Sequence, residues 1–196
     1  LIIYNTAKSY IKNFRTSIDV GCRDGDFSIP MSKDFQKVRS FDYRPRKWNR
    51  PRKKPKNLEY FNCALGDVRE DVKSFNGVIT ENREGVKEKI VKQKTLDSFN
   101  FKDVDYIKID VEGHELKVLK GAENTIKKYY PTISVEENGS AELWEKGVND
   151  EALNYLKEMG YEIVDRVKHD YIMVKKWVRY HLIKVTNNSS RQLINI

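Results

Sequence analysis

Six acids and one histidine carry most of the chemistry this chain can do: Asp19, Asp42, Asp67, Asp110, Glu112, Glu136 and His114. Asp42 ends the run Val38–Asp42, about 20 residues beyond a loop framed by Gly21 and Gly25, the offset at which one carboxylate accepts from both hydroxyls of a ribose. Asp67 follows another run, Leu58 to Cys63, through Ala64, Leu65 and Gly66. An acid there can accept a hydrogen bond from an adenine amino group. Asp110 closes the run Val104 to Ile109, and Glu112 and His114 follow within four residues. A carboxylate, or an imidazole that is neutral at pH 7, can take the proton of an attacking hydroxyl. Glu136 stands at the end of a further run, Thr132 to Glu136.

The elements that must present these groups are short buried strands. Acids at their C-terminal ends fall where open α/β sheets keep their ligands. Ile18 and Val20 mark the first strand, and Asp19 lies on it. The absent Cβ of the loop glycines lets backbone approach a ligand. Their spacing is not the three-glycine dinucleotide fingerprint. A helix is expected over Ile2 to Phe14, and another from the end of the Ile107 strand to about Tyr129. Asn149 caps a helix over Glu151 to Met159, which stops at Gly160. Tyr161 to Val167 and Tyr171 to Lys175 read as a closing antiparallel hairpin. Val78-Ile79 and Ile90-Val91 read as small strands inserted before Thr95-Leu96-Asp97, with turns at Gly77 and Gly85. The fold class is α/β: a mostly parallel seven-stranded sheet with helices on both faces.

The ordered segments IDVGCRDGDFS, FDYRP, CALGD, KIDVEGHELKVLKGA and PTISVEE resemble the FkbM-type family of class I S-adenosylmethionine-dependent methyltransferases. The resemblance spans roughly residues 16 to 175. It implies a Rossmann-like domain over 1–176, with 177–196 as a C-terminal extension. It also implies S-adenosylmethionine as cofactor and methyl transfer to a hydroxyl of a saccharide or small metabolite. On that reading Asp19, Gly21, Cys22 and Gly25 shape the cofactor loop, Asp42 and Tyr43 meet the ribose, and Ala64, Leu65 and Asp67 meet the adenine. Asp110, Glu112, His114 and Glu136 are the candidate catalytic residues. The family commonly carries a small residue and then Asn in the glycine loop, where this chain has Cys22, Arg23 and Asp24. Glu-Pro often ends the second strand in the family, where this chain has Asp42-Tyr43-Arg44-Pro45.

Between Arg44 and Lys56 lie eight Lys or Arg residues and no acid, against a net charge of +8 for the whole chain. Pro45, Pro51 and Pro55 keep that loop extended, and Trp48 offers a stacking surface. An anionic acceptor, or a nucleic acid, suits it. Two alternatives to the lead stand: a ribose or cap methyltransferase acting on RNA, suggested by this basic run, and a non-catalytic binding module that keeps the cofactor fold, suggested by the altered loop Cys22-Arg23-Asp24. Asp110 with Glu136, Glu137 and Asn138 groups hard oxygen ligands that would suit magnesium or calcium, though no residue is assigned to a metal. The length of 196 residues and a hydrophobic content of 39% fit one domain with its own core. Cys22 and Cys63 form no metal pattern. With no apolar span and no visible signal peptide, reduced thiols in the cytoplasm are the expectation.

Overall fold

A computed structural model describes residues 2–44, 55–75, 78–79, 87–136 and 151–176. Seven strands form the main sheet: β1 (Thr16–Val20), β2 (Lys37–Phe41), β3 (Leu58–Phe61), β8 (Val104–Ile109), β9 (Thr132–Glu136), β10 (Tyr161–Val167) and β11 (Asp170–Lys175), in the order β10-β11-β9-β8-β1-β2-β3. Neighbours from β3 to β9 pair in parallel, whereas β11 runs antiparallel to both β9 and β10. Chain order reverses at β1, with β2 on one side and β8 on the other. Ligands of such sheets bind at that switch, beyond the C-terminal strand ends.

Alternation along the central strands assigns their two faces. Ile18, Val20, Ile107, Ile109, Ile133 and Val135 point into one core, covered by α3 (Glu115–Lys120), α4 (Glu123–Tyr129) and α5 (Glu151–Glu158). Ala152, Leu153 and Leu156 are the buried face of α5, and full burial of a leucine such as Leu156 contributes about 1.5–3 kcal/mol. On the opposite face Val38, Tyr106 and Ile172 pack beneath α1 (Ile2–Ala7) and α2 (Ser28–Asp34). That second face turns polar in its middle row. Ser40, Asp19, Lys108 and Ser134 lie side by side across β2, β1, β8 and β9.

A second sheet, order β4-β7-β5-β6, joins β4 (Ala64–Leu65), β5 (Asp71–Phe75), β6 (Val78–Ile79) and β7 (Glu88–Lys94). It turns the chain after β3 back toward the switch point, where Ala64 pairs with Gln93. Two helical segments are shorter than their sequence patterns imply. The first ends as α1 at Ala7 and continues as a 3-10 turn over Lys8–Tyr10. The run after β8 divides into α3 and α4 at Gly121, where a Cβ would stand 1.8 Å from the Gly66 carbonyl oxygen. Contact between those two backbones interrupts the helix, and Asp97 starts it again by accepting from the Asn124 and Thr125 N–H groups at 2.9 and 2.8 Å. Among the described residues no helix is long and apolar enough to cross a membrane. Most of the basic loop (45–54), Gly77, Gly85, Glu137, Asn138, Asn149 and the extension 177–196 lie outside the described residues.

Candidate active site

Four strand ends and their following turns build an open cleft. Gly21, Asp42, Tyr43, Arg44, Ala64, Leu65, Asp110, Glu112 and His114 line it, together with the apolar side chains of Val20, Phe41, Cys63, Ile79 and Val111. Asp19, Cys22, Gly25, Asp67 and Glu136 are outside that lining. Gly21 is required where it stands. Its φ is +81°, and a Cβ would lie 1.7 Å from the Asp110 carbonyl oxygen. The N–H groups of Gly21 and Cys22 both donate to the Phe41 carbonyl, at 2.9 and 3.0 Å, and Gly25 donates to Cys22 at 2.8 Å. The loop is thereby tied to the ends of both β2 and β8.

Asp42 is buried, and its carboxylate is fully engaged. Oδ1 accepts from the Arg44 N–H at 2.8 Å and from its Nε at 3.2 Å. Oδ2 accepts from the Arg23 N–H at 3.0 Å and from Arg44 Nη2 at 3.3 Å. Arg23 meets Asp42 through its backbone, with φ at +47°. That left-handed conformation costs a residue with a Cβ roughly 1–2 kcal/mol. The Tyr43 hydroxyl pairs with Ser74 Oγ at 3.0 Å, and burial raises its pKa.

The turn after β8 is held from within. Glu112 has φ +58°, and the Glu115 carboxylate accepts from the Val111 and Gly113 N–H groups at 3.2 and 3.1 Å. This points exposed Glu112 and half-buried Asp110 to the cleft, and it sets His114 at the far end. There His114 Nε2 meets Gln93 Oε1 at 2.9 Å. Burial, then the Lys117 charge, lowers the His114 pKa to about 4, so the ring is neutral at pH 7.

Asp110 is paired with Lys108, which is 1% exposed and lies outside the cleft lining. Its Nζ lies 2.7 Å from Asp110 Oδ2 and 4.2 Å from the centre of the Phe27 ring. Its charge is felt by Asp19, Asp110, Glu136 and Asp170. Asp170 faces Glu136 across the β9–β11 ladder. Burial pushes the Asp110 carboxyl up, but the Lys108 ammonium and a hydrogen bond with Glu136 outweigh it and hold it below the ordinary value. Burial and the Asp110 carboxylate push Glu136 up to about 8. At neutral pH Glu136 therefore keeps a proton and donates it to Asp110. Asp19, wholly buried, is raised by burial. It accepts from Ser28 Oγ, while its Oδ1 has no partner among the described residues. Among the same residues no group of three His, Cys, Asp or Glu is arranged to hold a metal.

The residues that pattern reading missed are Lys108, Asp170, Arg44 and Gln93. Tyr106, Lys108 and Asp110 alternate along β8, so the period of two marks one polar face on a central strand. That was the available signal for Lys108.

The sequence profile of the methyltransferase FkbM domain matches residues 19–163. The chain belongs to the FkbM methyltransferase family. Among solved structures, this FkbM-family chain is similar to methyltransferase FkbM from Methylobacillus flagellatus KT, with 18% identity and a TM-score of 0.55 over 85% of this chain and 45% of that one. It thus spans less than half the length of that protein. Fainter likenesses reach precorrin-6y C5,15-methyltransferase from Geobacter metallireducens GS-15 (TM-score 0.49, 11% identity, 88% and 87% covered) and SMU.1697c from Streptococcus mutans in complex with SAH (TM-score 0.48, 10% identity, 87% and 92% covered). Identities this low speak to the fold alone. No curated protein matches the chain. The mostly parallel seven-stranded sheet with its antiparallel end is the Rossmann-like methyltransferase fold.

Proposed function

We propose that this FkbM-family chain uses S-adenosylmethionine to methylate a hydroxyl oxygen of a saccharide or small metabolite. The observation that carries the reading is the proton-sharing pair Asp110–Glu136, in which Asp110 lines the cleft and is paired with buried Lys108. The donor set fits a cationic nucleoside. Asp42 lines the middle of the cleft, apolar side chains wall its β4 end, and the acids of the lining, Asp42, Asp110 and Glu112, outnumber its one cation, Arg44. When bound, the sulfonium supplies a methyl carbon already electrophilic, so the protein's part is alignment and proton removal.

Asp42 takes the ribose hydroxyls once Arg44 releases it. Gly21 lets the loop backbone approach without a Cβ in the way. Asp110 would accept the acceptor's proton, and the cofactor, when bound, would supply the methyl group together with a neutral thioether as the leaving group. Lys108 keeps Asp110 ionised and aimed. Glu136 steadies Asp110 through the proton they share, and Glu112 offers a hydrogen-bond acceptor to substrate at the cleft rim.

The test is transfer of a labelled methyl group to panels of glycans, small alcohols and RNA, with and without magnesium. Label on a glycan or small alcohol is expected. Label on RNA alone would move the acceptor class to ribose hydroxyls, with the segment 44–56 as its docking arm. Absence of cofactor binding by calorimetry would overturn the reading.

A further inference from the structure

We infer that His114 is the residue that selects adenine in the nucleoside, accepting from the exocyclic amino group through Nδ1 while Gln93 fixes its tautomer. This rests on the cofactor reading above. The order of groups along the cleft places the base. Asp110 occupies the β9 side, Asp42 the middle, and Cys63, Ala64 and Leu65 the β4 side. With the sulfonium beside the acids and the ribose at Asp42, the purine falls between Phe41, Leu65 and Val111, whose apolar surfaces suit its flat faces.

A purine also has a polar edge, and His114 is the side chain that meets it. Gln93 pairs with Ala64 in the β4–β7 ladder, so its partner His114 stands at that same end. Asp67, the acid that the sequence pattern puts there, is not part of the cleft wall. Two hydrogen bonds settle which ring nitrogen is bare. Gln93 Nε2 donates to the Val68 carbonyl at 3.1 Å, which leaves Gln93 Oε1 as an acceptor. Oε1 lies 2.9 Å from His114 Nε2, so Nε2 carries the hydrogen and donates. Nδ1 is then a lone pair with no partner among the described residues. Burial keeps the ring neutral, so it stays an acceptor at neutral pH. An acceptor in this position matches the amino hydrogens of adenine and opposes the carbonyl oxygen that hypoxanthine carries at the same carbon.

The experiment compares S-adenosyl-L-homocysteine with S-inosyl-L-homocysteine by titration calorimetry. Wild type is expected to prefer the adenosyl compound by about tenfold or more, the scale of one lost hydrogen bond to a buried group. His114→Ala should bring that ratio close to one. Because the readout is a ratio within one protein, general loosening of the cleft cancels. A preference that survives in His114→Ala overturns the inference and leaves the cofactor reading intact. Failure of wild type to bind either compound overturns the cofactor reading, and this inference with it. Nitrogen-15 NMR of the unmutated protein gives a second route, with His169 and His181 the two other histidines in the chain. The His114 Nδ1 resonance should shift toward that of a hydrogen-bonded acceptor on adding the adenosyl compound. An unmoved resonance in the saturated complex overturns the assignment.

Discussion

Replacing Lys108 with Met keeps the unbranched stem and removes the charge, which isolates the electrostatic part of the site. At an effective dielectric of about 20, Coulomb's law gives roughly 6 kcal/mol for unit charges at the 2.7 Å of the Lys108–Asp110 pair. Desolvation of the buried ammonium offsets much of that gain. The variant nevertheless leaves wholly buried Asp19 and half-buried Asp110 near Glu136 and Asp170 without the Lys108 charge, with Arg23 still acting on Asp110, so a net loss toward the low end of about 3–5 kcal/mol is expected at neutral pH.

The pH dependence separates charge from packing. In the wild type the folded Asp110 pKa is depressed, so its contribution is present above the unfolded value near 4 and fades as pH falls through the folded one. Removing Lys108 removes that contribution. Asp19 and Asp170, already raised by burial, also lose the cation that holds them down. Their folded pKa values climb further, and the cost of ionising them grows as pH rises above about 4. Both effects act in one direction: the stability gap between Lys108→Met and wild type should be widest near pH 7 and shrink toward about pH 3.5. Urea unfolding across that range measures it. A gap that stays constant would show that Lys108 stabilises the sheet through its stem against Phe27, and would refute the ionic account.

Glu136 loses its proton near pH 8, so if the Asp110–Glu136 pair is the base, turnover should climb with pH and level off above about 8. Glu136→Gln should remove the climb; its persistence would take Glu136 out of the mechanism. Arg44→Ala frees the Asp42 carboxylate from a half-exposed ion pair worth about 0.2–1 kcal/mol, so cofactor affinity should rise, by up to about fivefold. Asp42→Ala should lower it by about 2–4 kcal/mol, and calorimetric affinities unchanged in both would dissociate Asp42 from the ribose. Gly121→Ala drives a methyl into the Gly66 carbonyl and should cost about 1–3 kcal/mol in denaturant unfolding. A neutral result would show that α3 and α4 part for some other reason.

The central sheet was open to reading because burial on both faces leaves a continuous apolar signature. Val104–Ile109 and Thr132–Glu136 have the bounds their sequences suggest, and α5 ends within a residue of Met159. The second sheet was legible only at the pairs Val78-Ile79 and Ile90-Val91. The other residues of β7 are largely polar, and five of its seven residues are not buried, so ladder hydrogen bonds define it more than apolar contact does. The break between α3 and α4 could not be read locally. Leu116, Leu119 and Ile126 continue one helical stripe, and the interruption comes from Gly66, some fifty residues away along the chain.

Lys108 shows why the acids were easier to find than the residue that governs them. A lysine inside an apolar run reads as a strand-end charge, since burying an ammonium alone is prohibitive. What makes its burial tolerable is spread over β1, β8, β9 and β11, brought together only by parallel crossovers and the final hairpin. Asp170 alone lies about sixty residues from Lys108 and reaches it because β11 inserts beside β9. The same arrangement ties stability to chemistry. Four acids around Lys108, with Arg23 also acting on Asp110, concentrate negative charge, and Glu136 relieves part of it by keeping a proton. A cationic sulfonium entering the cleft would relieve more of it, so cofactor binding should lower the pH at which Glu136 ionises. Titrating the free and cofactor-bound protein tests that coupling, and an unchanged Glu136 titration would mean that the cation does not sit beside these acids.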